Sequence, residues 1–507
     1  MINLSIVIVS VYFETIFDEK EVFSVLSSLY AYLNSQEIPY QVHMKPDDFS
    51  WMEPGESQEN WIRAVLLQAE EVEQNTDAFA ASNVDLISSA KQKQTDGILN
   101  SKTVLAILPA NRMLDFNRLA SHQHTTMSLL KGDEADQHMK KASAGIRVPL
   151  PGLFDLTAIL DENISDMDSV WFEAGDGVHY IEMSSRDFLS IHTSIDRLSF
   201  SFPLSSLYLP EGTQMKADPH FADMRIQGRI EDLSDLPPMP GIALDILSLK
   251  SNRHACAKDL AEIVRKDPGL SAQVMGWANS AFYGYRGEID SIETAISRVL
   301  GFDRVINLSL GIVLGNTLQV PSEGPLGLNN YWKQALLTAN LAEKLSLKMN
   351  VQTRPVRGIV YLAGLLHNIG HLLLGHAFPP QFFVLNRFIE VNPHIQVSDI
   401  EKYVLGVTHE QIGAWLLKSW NLPAEICEAT RWHHQEEYAS PHAAYSNLIF
   451  LANHMLGSQF IGDSRPGTFP EAVLELLGLS KQDAESVWMT MDEFIPEVDS
   501  MARQLAA

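Results

Sequence analysis

Cysteine is nearly absent from this chain, positive charge is scarce, and no long apolar run interrupts it. Only Cys256 and Cys427 occur in 507 residues, which excludes a disulfide framework and fits a reducing compartment. Lys and Arg number 37 against 63 Asp and Glu, for a formal net charge of -26. A surface of that sign repels phosphate backbones, so general nucleic-acid binding is disfavoured. The early apolar stretch at residues 2–13 falls short of the roughly 20 residues a bilayer helix needs. It also lacks the basic start and small-residue cleavage site of a secretory signal, and reads as an extra strand or an upstream start. No other segment reads as membrane-spanning, so membrane insertion is not expected and a cytoplasmic location is.

What is present is ordinary globular material, 46% hydrophobic and 20% charged, long enough for about two or three cores. Val22, Leu26, Leu29, Tyr30 and Leu33 fall at helical spacing, and residues 38–44 then alternate as a strand does. Further strands are expected at 104–108, 170–173 and 178–183, with Ser184 to Asp187 opening another helix. Residues 1–20 are an N-terminal extension, and 21–205 read as one mixed α/β domain. Within it, residues 70–101 are polar and read as a long loop. Residues 206–228 carry Pro210, Gly212, Pro219 and Gly228 among charges and read as a linker.

Beyond the linker the signals turn helical. Asp267 suits an N-cap and Pro268 the first helical position, with Leu270, Val274, Trp277, Ala278 and Ala281 along one face. Asp290 with Glu293, Ser398 with Glu401, and Thr408 with Gln411 all have capping-box spacing. Residues 436–507 continue as helices that complete the bundle. Nine of the 17 histidines lie between His367 and His454, which raises the question of a metal.

Residues 236–241, 267–283, 289–301 and 364–370 carry a resemblance, as do 408–420 with the Leu422-Pro423 and His433-His434 that follow. Together they resemble the HD-related output domain (HDOD) family over residues 229–435. The resemblance implies the all-α fold of the metal-dependent HD phosphohydrolases and, for many members, a regulatory role in bacterial signalling with part of the catalytic set missing. The catalytic pattern wants an early histidine, a His-Asp pair, further histidines and a late aspartate. Here Gln334 stands at the early histidine, His367-Asn368 at the pair and Asn453 at the late aspartate, while His409, His433 and His434 match the later histidines.

Gln334, His367, Asn368 and Asn453 bring no negative charge to a divalent ion, and an Asn cannot supply the anionic bridge that holds two metals. A metal-bound water would also lack a carboxylate to orient it. Hydrolysis by the HD mechanism is therefore not expected, and these side chains are expected to form a hydrogen-bonded polar pocket without a cofactor. The alternative is a residual divalent metal such as zinc on His367, His371, His409, His433 and His434, since imidazoles need no carboxylate beside them. His367 and His371, four apart, would then share a helical face.

Residues 21–205 resemble, more loosely, the YbaK/prolyl-tRNA synthetase-associated domain family, whose members deacylate mischarged tRNA. The resembling runs are 31–42, 104–119 with Leu108-Pro109-Ala110 and Leu114-Asp115, 145–149, and 170–187. The family's glycine loop falls on Gly145 and Pro149, and its lysine on Arg63, with Lys102 as the alternative. Arginine keeps the charge but changes the donor geometry; as a residue in isolation, Arg63 reads as a solvated surface charge. The expectation is a non-catalytic bacterial signalling protein with a sensory or binding YbaK-like domain and a protein partner. The alternatives are a metal-dependent phosphohydrolase or an aminoacyl-tRNA deacylase, with tRNA a disfavoured partner for so acidic a chain.

Overall fold

The computed structural model describes residues 19–44, 59–69, 103–123, 127–130, 148–176, 178–206, 226, 237–279, 285, 289–458, 461–465, 469–491 and 494–506. The stretch at 2–13, the loop at 70–101, Lys102, Gly145, Ala281 and most of the linker lie outside the described residues. The chain divides into two compact units, Met1–Lys216 with Arg387–Ile395, and Ala217–Asn386 with Gln396–Ala507.

The first unit is mixed α/β. Helix α1 (Glu19–Ser35) is followed by β1 (Gln41–Met44), β2 (Ile62–Ala69), β3 (Thr103–Pro109), β4 (Arg112–Leu114) and helix α2 (Phe116–Gln123). Then come β5 (Met127–Leu129), the short α3 (Pro151–Phe154), β6 (Thr157–Asp161), β7 (Ser169–Glu173), β8 (His179–Ser184), α4 (Ser185–Ser190), β9 (Asp196–Leu198) and β10 (Ser201–Pro203). The main sheet has the order β5-β2-β3-β6-β9. β2 pairs antiparallel with both β3 and β5, and β6 pairs parallel with both β3 and β9. Every residue of β3 is buried, as expected for a strand covered on both faces. Leu29 and Leu33, one helical turn apart on α1, enter the core with Leu66, Leu105, Ile107, Leu160 and Phe172. A smaller antiparallel sheet has the order β1-β8-β7, and Ser184 caps α4 by accepting from the backbone N–H of Asp187.

Arg63 departs from its expected place. It is buried, and its guanidinium donates to Val391 O at 2.7 Å, Asn392 Oδ1 at 2.7 Å and Arg112 O at 3.4 Å. Burial pushes its pKa down to about 9, so it remains charged at neutral pH while held by neutral oxygens. An apolar strand around an arginine is the sequence's sign of such a bracket, since a buried guanidinium must spend its donors. Asn392 completes it, accepting from Leu114 N (2.8 Å) and donating to Leu114 O (3.1 Å) and Phe388 O (2.9 Å). Asn392→Ala should destabilise this unit by about 3 kcal/mol, because it leaves buried partners unpaired. The check is a lower melting temperature with lost hydrogen-exchange protection at Leu114.

The second unit is helical. Its helices are α5 (Gly241–Ser251), α6 (Ala257–Val264), α7 (Pro268–Ala278), α8 (Ile292–Thr294), α9 (Phe302–Gly315), α10 (Leu328–Lys348), α11 (Arg357–Leu366), α12 (Ile369–Ala377) and α13 (Pro379–Val391). They continue as α14 (Val397–Val404), α15 (His409–Ser419), α16 (Ala424–Trp432), α17 (Ala443–Gly457), α18 (Glu471–Leu477), α19 (Lys481–Trp488) and α20 (Ile495–Ala506). Asp267 caps α7 by accepting from Leu270 N at 2.9 Å, and Leu270, Val274, Trp277 and Ala278 are buried. The cap of α8 is Ser291 rather than Asp290: its hydroxyl accepts from Thr294 N at 3.2 Å, while Asp290 accepts from the Thr294 hydroxyl. The helix continues as a π turn to Leu300 and stops at Gly301, whose φ of 85° suits glycine.

α10 is the central helix, packed against α11, α17 and α20. Its Glu343 accepts from Arg304 at 2.6 Å and Arg357 at 2.6 Å, tying α9 and α11 to it. Residues Arg357–Ala377 are long and apolar enough to cross a membrane, a stretch that does not read as membrane-spanning in the sequence. They are broken into α11 and α12 at His367-Asn368, and 89% of the apolar window is buried within the protein. α13 belongs to this unit through Asn386, and its last turn belongs with the first.

Candidate functional site

The break between α11 and α12 places the histidines. His367 is the C-cap of α11 and Asn368 the N-cap of α12. The expectation that His367 and His371 share one helical face fails, because the helix does not continue between them. His367 Nδ1 sits 2.7 Å from Gly364 O and so carries the proton, which leaves Nε2 as the lone-pair nitrogen. His371 instead reaches Glu401, Nε2 to Oε1 at 2.8 Å. Gly370 allows α12 to lie directly on α15: a Cβ there would overlap the carbonyl of His409 and come within 2.9 Å of Gly413 N.

His409 is the first residue of α15, held by the capping box of Thr408 and Gln411. Its backbone N–H donates to Glu401 Oε2 at 2.8 Å and its Nδ1 lies 2.8 Å from the same oxygen. Glu401, read from the sequence as part of a helix start at Ser398, is a buried residue within α14, which Gln396 precedes as N-cap. His433, the C-cap of α16, lies with Nδ1 2.8 Å from Thr430 O, and its Nε2 faces His409 Nε2 at 3.2 Å.

The carboxylate at the centre is Asp463, in the loop 461–465 after α17. It is buried, with Oδ2 at 3.0 Å from His434 Nε2 and 3.4 Å from His409 Nε2. Its Oδ1 accepts from the Gln334 amide, and Gln334 Oε1 accepts from Asn368 Nδ2 at 3.1 Å. Asn453 stands apart from this chain, its Oδ1 accepting from the Thr338 hydroxyl at 2.7 Å.

Burial opposes the charge on His409, but Glu401, Glu410 and the hydrogen bonds to Asp463 and Glu401 outweigh it and lift its pKa well above the usual imidazole range. His434 is raised in the same way, burial being overcome by Asp463. Burial would raise the carboxyls, yet His409 and His371 hold Glu401 down at about 2, and His434 and His409 hold Asp463 well below its ordinary value. Burial pushes His367 down to about 4 despite Asp463, and burial with the neighbouring imidazoles pushes His433 well below its usual value. His433 is therefore neutral, with its Nε2 turned toward His409.

The structure thus brings Gln334, His367, Asn368, His409, His433 and His434 into one neighbourhood and adds two carboxylates that sequence reasoning missed. Contrary to the expectation from the sequence, a carboxylate does lie within this pocket, that of Asp463. One signal for Glu401 is available: it occupies the apolar stripe Val397, Ile400, Glu401, Val404 at helical spacing. Asp463, in a Gly-Asp-Ser loop, has none. At the positions an HD metal requires, the residues do not fit it. The amide nitrogens of Gln334 and Asn368 donate along the chain to Asp463 and Asn368 Oδ1 makes no hydrogen bond, so the amides there bring no negative charge to offset a divalent ion. In the first unit, Pro149 is buried, Arg63 is committed to the bracket, and Gly145 and Lys102 lie outside the described residues.

Fold and site define a helical HD-like region that follows an α/β region in the chain. Residues 236–436 match the HDOD domain family, and this part of the chain is an HDOD domain. A protein of Marinobacter aquaeolei VT8 assigned to signal transduction has a crystal structure 29% identical in sequence, covering 95% of this chain and 99% of that one, with a TM-score of 0.74. An uncharacterized protein of Treponema pallidum (strain Nichols) is 27% identical over 236 residues, 46% of this chain and 44% of its own length. The chain therefore spans less than half of that relative. An HDOD domain protein of Geobacter sulfurreducens is 23% identical, covering 55% of this chain and 96% of that one, with a TM-score of 0.46.

Proposed function

We propose that this protein is a non-catalytic regulator in bacterial signal transduction. Its YbaK-like first domain senses or binds a ligand, and its HDOD bundle transmits the result to a protein partner. The observation that carries this reading is the chain Asn368 to Gln334 to Asp463. At two of the positions where hydrolysis needs metal ligands, Gln334 and Asn368 are hydrogen-bonded to each other and on to Asp463 instead. The similarity to the Marinobacter protein, which extends over both regions, supports the signalling context.

The test is hydrolysis. With Mn²⁺, Mg²⁺ or Fe²⁺ added, the purified protein should leave cyclic nucleotides, cyclic dinucleotides and phosphomonoesters intact. Metal-dependent turnover that disappears in His367→Ala would overturn the reading. The deacylase alternative rests on Gly145 and Pro149, since Arg63 has another task. Release of amino acid from a panel of mischarged tRNAs would restore it, and none is expected.

A further inference from the structure

Among the described residues α13 alone is divided between the two units within one unbroken helix. Pro379 to Asn386 belong to the helical unit, and Arg387 to Val391 to the α/β unit. Pro393 follows its end, where a proline, having no N–H, cannot continue the helical ladder. The chain stays with the α/β unit to Ile395 and returns to the helical unit at Gln396, the N-cap of α14.

Each part of the helix is fastened by an asparagine. In the helical unit Asn386 Oδ1 accepts from Leu326 N at 2.9 Å, on the same helix as the buried Phe382 and Leu385. In the α/β unit Asn392 Oδ1, just past the helix, accepts from Arg63 at 2.7 Å and from Leu114 N at 2.8 Å. There the Arg387 guanidinium also donates to Met127 O and lies 5.0 Å above the Phe116 ring. Buried hydrogen bonds of this kind cost more to leave unmade than they contribute when made, so both ends are held in place.

The way out of the α/β unit is equally short. Ile395 N donates to Asn392 O at 3.1 Å, and the N–H groups of Asp399 and Ile400 donate to Gln396 O at 3.1 and 3.3 Å. Successive turns thus lead from Asn392 into α14. That helix carries the buried Glu401, whose carboxylate takes the backbone N–H and Nδ1 of His409 and lies 2.8 Å from His371 Nε2. Rigid elements joined by hydrogen-bonded turns pass a displacement on, because they have little slack to absorb it. We propose that residues 387–395 are a mechanical relay: a change in how the α/β unit holds Asn392 moves Glu401, and with it the start of α15 at His409. This deepens the signalling reading and rests on it for its purpose, since it names the route from the first domain to the HDOD bundle.

The experiment is amide hydrogen exchange on the full chain, read at His409 N–H, whose acceptor is Glu401, and at the amides of α9 as a control. Asn392→Ala should lower the protection of His409 about 10-fold and leave α9 unchanged. Arg63→Lys, which keeps the charge and loses the forked donors, should act in the same direction. Coupling is reciprocal, so Glu401→Gln should lower the protection of Leu114 N–H, which is bonded to Asn392, by a similar factor. Unchanged protection of His409 in either folded variant overturns the relay, as does an equal loss at His409 and α9, which is general destabilisation. If the variants fail to fold, exchange of the wild type in increasing urea decides: Leu114 and His409 opening together before α9 supports the relay, and separate opening overturns it. Metal-dependent turnover would remove the non-catalytic reading and leave the relay standing, whereas unchanged protection removes the relay and leaves that reading.

Discussion

Asp463→Ala should lower the stability of the helical unit by about 4 kcal/mol, measured by urea denaturation in the presence of a chelator. The carboxylate is buried and takes hydrogen bonds from Gln334 and His434, with His409 Nε2 at 3.4 Å. Removing it leaves His434 without its nearest counter-charge, leaves His409 with Glu401 alone, and leaves a buried amide without an acceptor. Breaking a buried ion pair from one side costs about 3–5 kcal/mol for that reason. A surface aspartate in a loop would cost less than about 0.5 kcal/mol, so the two origins are well separated. Asp463→Asn keeps the shape and should recover only a small part of the loss, because the amide has neither the charge nor two acceptor oxygens. Equal stability of wild type and Asp463→Ala would place this residue outside the network.

Gly370→Ala should be as damaging, by at least about 4 kcal/mol, through sterics alone. The added methyl would overlap the His409 carbonyl and press on Gly413 N, and both are backbone atoms that cannot rotate away. α12 and α15 would have to separate, carrying His409 away from His371 and Glu401. Gly276 in α7 provides the contrast, since its nearest neighbour is the end of the Gln504 side chain at 3.6 Å. Gly276→Ala should be neutral or stabilise by up to about 1 kcal/mol, as alanine does in a helix interior. Thermal melting of the two variants side by side checks the claim, and a tolerated Gly370→Ala would contradict the packing described here.

The parts of this protein written in local patterns are legible in its sequence. Asp267 with Pro268, and Thr408 with Gln411, start helices where their spacing says, because a cap needs only residues three positions apart. The strands β3, β7 and β8 are legible as well, from apolar runs and alternation. The site is legible only in its histidines. Asn368 looks like a lost charge, but carboxylates return from elsewhere: Glu401 from within α14 and Asp463 from the loop after α17. Contacts of that kind depend on how helices pack, and no local period encodes them. Arg63 is misread as a surface charge for the same reason, since the oxygens that hold it, Val391 O and Asn392 Oδ1, lie 328 and 329 residues along the chain.

The amides of Gln334 and Asn368, at two of the HD positions, form a hydrogen-bonded chain ending on Asp463. A double-mutant cycle of Gln334→Ala with Asp463→Asn, measured by urea denaturation with chelator present, tests it most directly. The expected result is a coupling energy of about 2 kcal/mol between the two sites. Additive effects, within about 0.5 kcal/mol, would contradict it.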